Sequence, residues 1–196
     1  MQTWEVIAAL LSVAYLLLAV REHLWCWYAG FVSNAIYLFV FWHVSLLMDS
    51  ALQVYYMGIA VYGWWHWQQR SPANPDQADS SPLPVSRWPW RNHVVAVLAV
   101  LALSLGSGLL LQEYTGAASP FLDSFTTWGA VLTTWMVARK LLENWLYWIV
   151  IDSISVYLYI SRELEVTAIL FAVYTVIAVF GYRQWLNHYR SQPASA

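Results

Sequence analysis

The sequence predicts an all-α integral membrane protein of seven transmembrane helices in a 3+1+3 parallel-repeat arrangement. Composition is the first observation behind this: 60% of the 196 residues are hydrophobic and only 10% charged, with a mean hydropathy of +0.50, far above that of a soluble domain. The second is a set of apolar stretches long enough, at 1.5 Å rise per residue, to cross about 30 Å of hydrocarbon. The third is that the chain repeats itself at an offset of 118 residues.

In order, the helices are expected near 4–20, 24–42, 46–67, 93–111, 121–138, 144–161 and 165–186. The first run, "WEVIAALLSVAYLLLAV", lacks a basic n-region and a small-residue cleavage site, so it is expected to stay in the mature chain. Residues 1–69 then form a first three-helix repeat. "RSPANPDQADSSPLPVSRWPWR" follows with five of the seven prolines, and 70–92 reads as a flexible cytoplasmic linker. Residues 93–111 are a linking helix, 119–188 a second three-helix repeat, and 189–196 a short tail. Glu5, Asp49 and Asp123 open helices on one side, where capping and the helix dipole account for them. Arg139 and Glu143 read as an i, i+4 ion pair at the other.

Loop charge orients the bundle. Arg21, Arg70, Arg87, Arg91, Arg139, Lys140, Arg183 and Arg190 fall on one face and only Arg162 on the other, which puts the N-terminus outside and the C-terminus in the cytoplasm.

The ungapped offset places Arg21 on Arg139, Trp27 on Trp145, Tyr56 on Tyr174, Gly63 on Gly181 and Trp67 on Trp185, with "IAVYG" (59–63) on "IAVFG" (177–181). Apolar matches arise by chance, but shared Arg, Trp and Gly at one offset do not arise so easily. Three helices, one linking helix and three more cross the membrane in the same sense, which is a parallel repeat of the kind seen in SWEET proteins.

Under the same offset Asp152, in "ENWLYWIVIDSISVYLYI", falls on Asn34, so each half offers a polar group at equal depth. Binding sites of repeat transporters lie near the midplane between the halves. Gln53, and Tyr56 one turn deeper, are expected in the same layer as Asn34, while Trp145, Trp148 and Asp152 share a face of helix six at i, i+3, i+7 spacing. These six, Asn34, Gln53, Tyr56, Trp145, Trp148 and Asp152, are the candidate substrate-binding residues. Each has a plainer alternative: Asn34 and Gln53 as interhelical hydrogen-bond partners, Asp152 as a buried carboxylate neutralised by a proton or a helix partner, Trp145 and Trp148 as interfacial belt residues.

Enzyme chemistry is poorly represented. No "GxxxxGK[ST]" loop exists to hold a nucleotide, and His23, His43, His66, His93 and His188 lie near helix ends without an "HExxH" pattern. Asp152 alone supplies no nucleophile and base pair. The single Cys26 allows no internal disulfide or cysteine-cluster metal site and reads as packing. No catalytic residue, cofactor, metal or nucleic-acid partner is expected.

Long stretches resemble the PnuC vitamin transporters, through "LQVYY", "YGWWHW", "ARKLLENWLYWIVI" and "GYRQW", over nearly everything but the linker and helix four. The resemblance implies a 3+1+3 fold, usually a homotrimer, in the bacterial inner membrane. It implies facilitated diffusion of nicotinamide riboside, trapped by a cytoplasmic kinase. It also implies binding through asparagine, glutamine and tryptophan positions of helices two, three and six, matched here by Asn34, Gln53, Trp145, Trp148 and position 152. One departure stands out: nicotinamide riboside carriers of the family have an "INVIS"-like asparagine where this chain has "IDSIS".

Nicotinamide riboside and thiamine are permanent cations with flat rings, which tryptophan faces attract by about 0.5–2 kcal/mol each. An ionised Asp152 adds Coulomb attraction and neutral riboflavin gains none, so the expected order is nicotinamide riboside, thiamine, then neutral vitamins or nucleosides. Two other classes stay open: a proton-coupled carrier that titrates Asp152, and a scaffold with no ligand.

Overall fold

A computed structural model describes residues 2–43, 47–69, 83–114, 119–161 and 163–192. Arg70 and Arg162, which entered the orientation argument, and the side chains of Glu5 and Asp49, expected as caps, lie outside what is described. Seven helices occupy the described residues: α1 (Gln2–Val20), α2 (Trp25–His43), α3 (Leu47–Trp67), α4 (Trp90–Tyr114), α5 (Pro120–Ala138), α6 (Asn144–Ser161) and α7 (Glu165–Ser191).

Two of the helices, α4 and α7, are long and apolar enough to cross a bilayer on composition alone. α1 carries a shorter apolar run, Val6–Val20, and the remaining four mix polar side chains into theirs. α4 is three residues longer at each end than the sequence suggests. Pro89, which has no N–H to leave unsatisfied, precedes it, and its carbonyl accepts the Asn92 N–H at 3.0 Å.

The helix ends explain their own positions. At the close of α1 the His23 N–H bonds Leu18 O (2.9 Å) and the Glu22 N–H bonds Ala19 O (3.0 Å), with Glu22 in the left-handed region at φ 54°. At the close of α5 the Leu141 N–H bonds Met136 O (3.0 Å) and the Lys140 N–H bonds Val137 O (2.9 Å), with Lys140 at φ 52°. Both are Schellman closures, in which a left-handed residue lets the last carbonyls find donors. Glycine is the usual occupant, so Glu22 and Lys140 are held there by something else.

Helix pairing is cyclic. α1 packs on α2, α2 on α3, α3 on α5, α5 on α6, α6 on α7, and α7 returns to α1; α4 lies outside this ring against α5, with its His93 Nδ1 2.9 Å from the Tyr147 hydroxyl of α6. Adding 118 to the bounds of α1 gives 120–138, those of α5, and the starts of α3 and α7 are related in the same way. α2 and α6 are not neighbours in the ring.

The core gathers at the end where α1, α3, α5 and α7 finish. Trp27 lies edge-on to Trp67 (5.1 Å, 84°) and Trp145 edge-on to Trp185 (5.5 Å, 88°). A Cβ on Gly63 would meet the Trp27 ring at 2.4 Å, and one on Gly181 the Trp145 ring at 2.7 Å, so glycine is what lets each indole lie flat against its neighbouring helix. The Trp67 indole N–H donates to Ala138 O and that of Trp185 to Ala19 O, both at 3.1 Å. Cys26, fully buried in this cluster, is a packing residue.

The expected Arg139–Glu143 pair does not form. Residues 139–143 are the turn between α5 and α6, so i, i+4 geometry is absent; Glu143 pairs with Arg87 at 2.8 Å, and Arg139 reaches the Tyr62 hydroxyl at 3.2 Å. The hydrogen bond from Arg87 to Glu143 also holds its guanidinium above the ordinary arginine range.

Candidate functional site

Asp152 sits two turns into α6 and is 4% exposed. Its carboxylate makes no hydrogen bond or ion pair with any described residue. The nearest polar company comes from α1, α2 and α7. Tyr174 lies within electrostatic reach of Asp152 and of Tyr37, and within hydrogen-bonding reach of Ser12. Ser12 Oγ meets Ser33 Oγ at 2.9 Å, and both hydroxyls donate to Ala8 O, at 3.0 and 2.9 Å. Three helices thus bring hydroxyl groups together on the side of α6 that carries Asp152, with Tyr174 the one within its reach.

Gln53 on α3 is buried and Asn34 on α2 half-buried. Neither spends a side-chain hydrogen bond on a described residue. This bears on the plainer reading, since a residue serving as interhelical glue should be bonded across helices. Ser12, Ser33 and Tyr55, whose hydroxyl donates to Val131 O at 2.8 Å, are bonded in that way; Asn34, Gln53 and Asp152 are not. Tyr56 lies within electrostatic reach of Tyr15 on α1 and keeps its own hydroxyl unspent.

The tryptophans divide. Trp145 is 1% exposed, wedged on Gly181 and Trp185, and its indole N–H is buried without a protein acceptor, as is that of Trp27. Trp148, one turn further along α6, is half-buried and packs on the edge of the same cluster. The belt reading fails for Trp145, which is enclosed by protein. On α6 the sequence spacing thus sets a packed indole, a half-buried indole and a buried carboxylate along one face of the helix.

Sequence reasoning missed Ser12, Ser33, Tyr37 and Tyr174. Serine and tyrosine are common in membrane helices, and nothing in their spacing marks them. Tyr174 could have been found as the partner of Tyr56 under the 118-residue offset.

A cleft of about 340 Å³ between α4, α5 and α6 is lined by Val97, Val100, Phe125 and Val150 among others, and contains none of the six candidate residues. Its walls are apolar, unsuited to a vitamin with hydroxyl groups. The polar interior of the ring is the better candidate.

A family model described as nicotinamide mononucleotide transporter matches residues 2–187. The chain is 26% identical to the nicotinamide riboside transporter PnuC of Escherichia coli K12, over 97% of this chain and 86% of that one. It is 24% identical to the riboflavin/roseoflavin transporter RibM of Streptomyces davaonensis, over 92% of this chain and 83% of that one. In fold it is similar to the crystal structure of the vitamin B3 transporter PnuC, with a TM-score of 0.76 at 16% identity, covering 97% of this chain and 83% of the other.

Proposed function

The chain belongs to the nicotinamide mononucleotide transporter family, and from that premise we propose that it carries nicotinamide riboside into the cell by facilitated diffusion across the inner membrane. The observation that carries the reading is a set of buried or half-buried polar groups that bond to no described residue: the Asp152 carboxylate, the Asn34 and Gln53 amides and the Tyr56 hydroxyl. A pyridinium ring beside Trp148 and Asp152 gains cation–π and Coulomb attraction, while the amides and Tyr56 suit the ribose hydroxyls. Trp145 supplies the indole N–H that has no protein acceptor.

The proposed architecture is a 3+1+3 parallel repeat. Residues 1–69 and 119–188 are the repeats, 70–92 the linker, 93–111 the core of the linking helix and 189–196 the tail. Every helix contact of the ring maps onto another when α1, α2 and α3 are exchanged with α5, α6 and α7, which supports a two-fold axis along the membrane normal. Loop charge supports an outside N-terminus and a cytoplasmic C-terminus. The homotrimer and the phosphorylating kinase follow from resemblance.

Purified protein in liposomes, without kinase, should equilibrate labelled nicotinamide riboside saturably and never concentrate it. Accumulation driven only by an imposed pH gradient would establish the proton-coupled carrier instead, and absence of flux for every vitamin would leave a scaffold. The RibM relative makes riboflavin a second reading, and thiamine, as a cation, a third. Competition by all three in one assay ranks them.

A further inference from the structure

The end of the ring where α1, α3, α5 and α7 finish is crossed by a short non-helical segment, Leu83–Trp88. Val85 is 2% exposed, inserted in the cluster of Trp67, Leu142 and Trp185. Two backbone bonds tie the segment to the α5–α6 turn: the Ser86 N–H donates to Lys140 O, and the Leu142 N–H to Ser86 O, both at 2.9 Å. Arg87 is paired with Glu143 at 2.8 Å, and the Trp88 N–H donates to the other Glu143 oxygen at 3.3 Å.

Lys140 joins this segment to both halves. Its Nζ donates to Glu22 Oε2 at 2.7 Å and to Leu83 O at 2.9 Å, and lies 4.8 Å from the Trp67 ring centre. Glu22 is also paired with His188 at the end of α7. Glu22 and Lys140 are 118 positions apart, and so are Trp67 and Trp185, whose rings lie 6.0 Å apart. Residues related by a two-fold axis that touch each other touch on the axis. Both contacts therefore stand on the path a solute would follow through the ring.

We propose that Leu83–Trp88 is a strap that closes the inner mouth of the ring, latched by Lys140 between Glu22 and the Leu83 carbonyl, and that release of solute requires the strap to lift. The proposal rests on the reading above that a solute passes along the ring axis. A strap of six residues, held by two ladder bonds, the inserted Val85, the Trp88 ring on Trp135 and the Arg87–Glu143 pair, opens at less cost than a packed helix. The left-handed backbone at Glu22 and Lys140 sets the two charges against each other on the axis.

The test is a reversible lock. Ser86 and Leu141 are bridge partners across the strap, so Ser86→Cys/Leu141→Cys in a Cys26→Ala background places two thiols at disulfide spacing. In liposomes the oxidised protein should take up nicotinamide riboside at least tenfold more slowly than the reduced protein. Binding to the detergent-solubilised protein should stay within twofold, and a reductant should restore flux. Equal flux in the two states overturns the proposal, and so does loss of binding along with flux, which would make the strap a support of the site. If Leu141→Cys prevents folding, Arg87→Cys/Glu143→Cys bridged by a bis-methanethiosulfonate reagent, which a reductant removes, gives a reversible lock across the same ion pair. If neither the reduced variant nor the unaltered chain carries nicotinamide riboside but another vitamin crosses, the substrate reading fails, and the lock is scored with that vitamin.

Discussion

A carboxylate that is 4% exposed in the middle of a membrane helix, with no described hydrogen-bond or ion-pair partner, costs about 2.5–3.5 kcal/mol on insertion scales. On the proposed reading a cationic substrate recovers that cost where a neutral one does not. Asp152→Asn keeps the shape and removes the charge. It should weaken a cationic vitamin by about 1.5–3 kcal/mol, the span of hydrogen bonds to charged groups, which is roughly tenfold or more in Kd. Riboflavin affinity should be unchanged. Isothermal titration of both proteins with nicotinamide riboside and riboflavin checks this, and equal affinities for the cation would make Asp152 a structural residue. The sequence exposed this position because charge in an apolar run is rare. It could not expose Ser12 or Ser33, because hydroxyl groups are ordinary in membrane helices and only packing shows which of them meet.

At the scale of elements, what the sequence shows best is apolar length. All seven helices lie within three residues of expectation at most ends, because hydrocarbon thickness fixes length and the turn residues fix the stops. α7 is the exception and runs on to Ser191, since the polar end of a helix carries no hydropathy signal. The strap was illegible for a related reason. A proline-rich, charged stretch reads as a linker, yet the single apolar Val85 inserts in the core, and the backbone bonds of Ser86 fix its last residues there. Helix packing gives a sharper test. In both Gly63 and Gly181 the missing Cβ is the space an indole fills, at 2.4 and 2.7 Å. Gly63→Ala and Gly181→Ala should each destabilise by about 1–3 kcal/mol through overpacking. Gly58→Ala, with nothing within 4 Å of the new atom, should be neutral or stabilise by up to about 1 kcal/mol through helix propensity. Thermal unfolding in detergent orders the three, and a Gly58→Ala loss as large as the other two would remove the packing argument.

For the whole molecule the question is whether the two halves are equivalent enough to exchange parts. Glu22 and Lys140 occupy corresponding turns with the same backbone closure and φ values of 54° and 52°, and they are each other's partners. In a two-fold arrangement the pair can be reversed without moving the backbone, because each residue stands where the symmetry would put the other. Glu22→Lys or Lys140→Glu alone sets like charges together in a site where the two side chains are 12% and 2% exposed, and should cost about 3–5 kcal/mol, the loss expected on breaking a buried pair. The double exchange should recover about 0.5–3 kcal/mol of the summed losses, the range of coupling between residues in contact. Recovery should stay incomplete, since the surroundings are not symmetric. The Leu83 carbonyl accepts from Lys140 and would face a carboxylate after the exchange, while His188, now on Glu22, would face an ammonium. Unfolding midpoints of the four proteins in one detergent measure the coupling. Strictly additive losses would show that Glu22 and Lys140 are not interchangeable, and that the match between the halves ends at their helices.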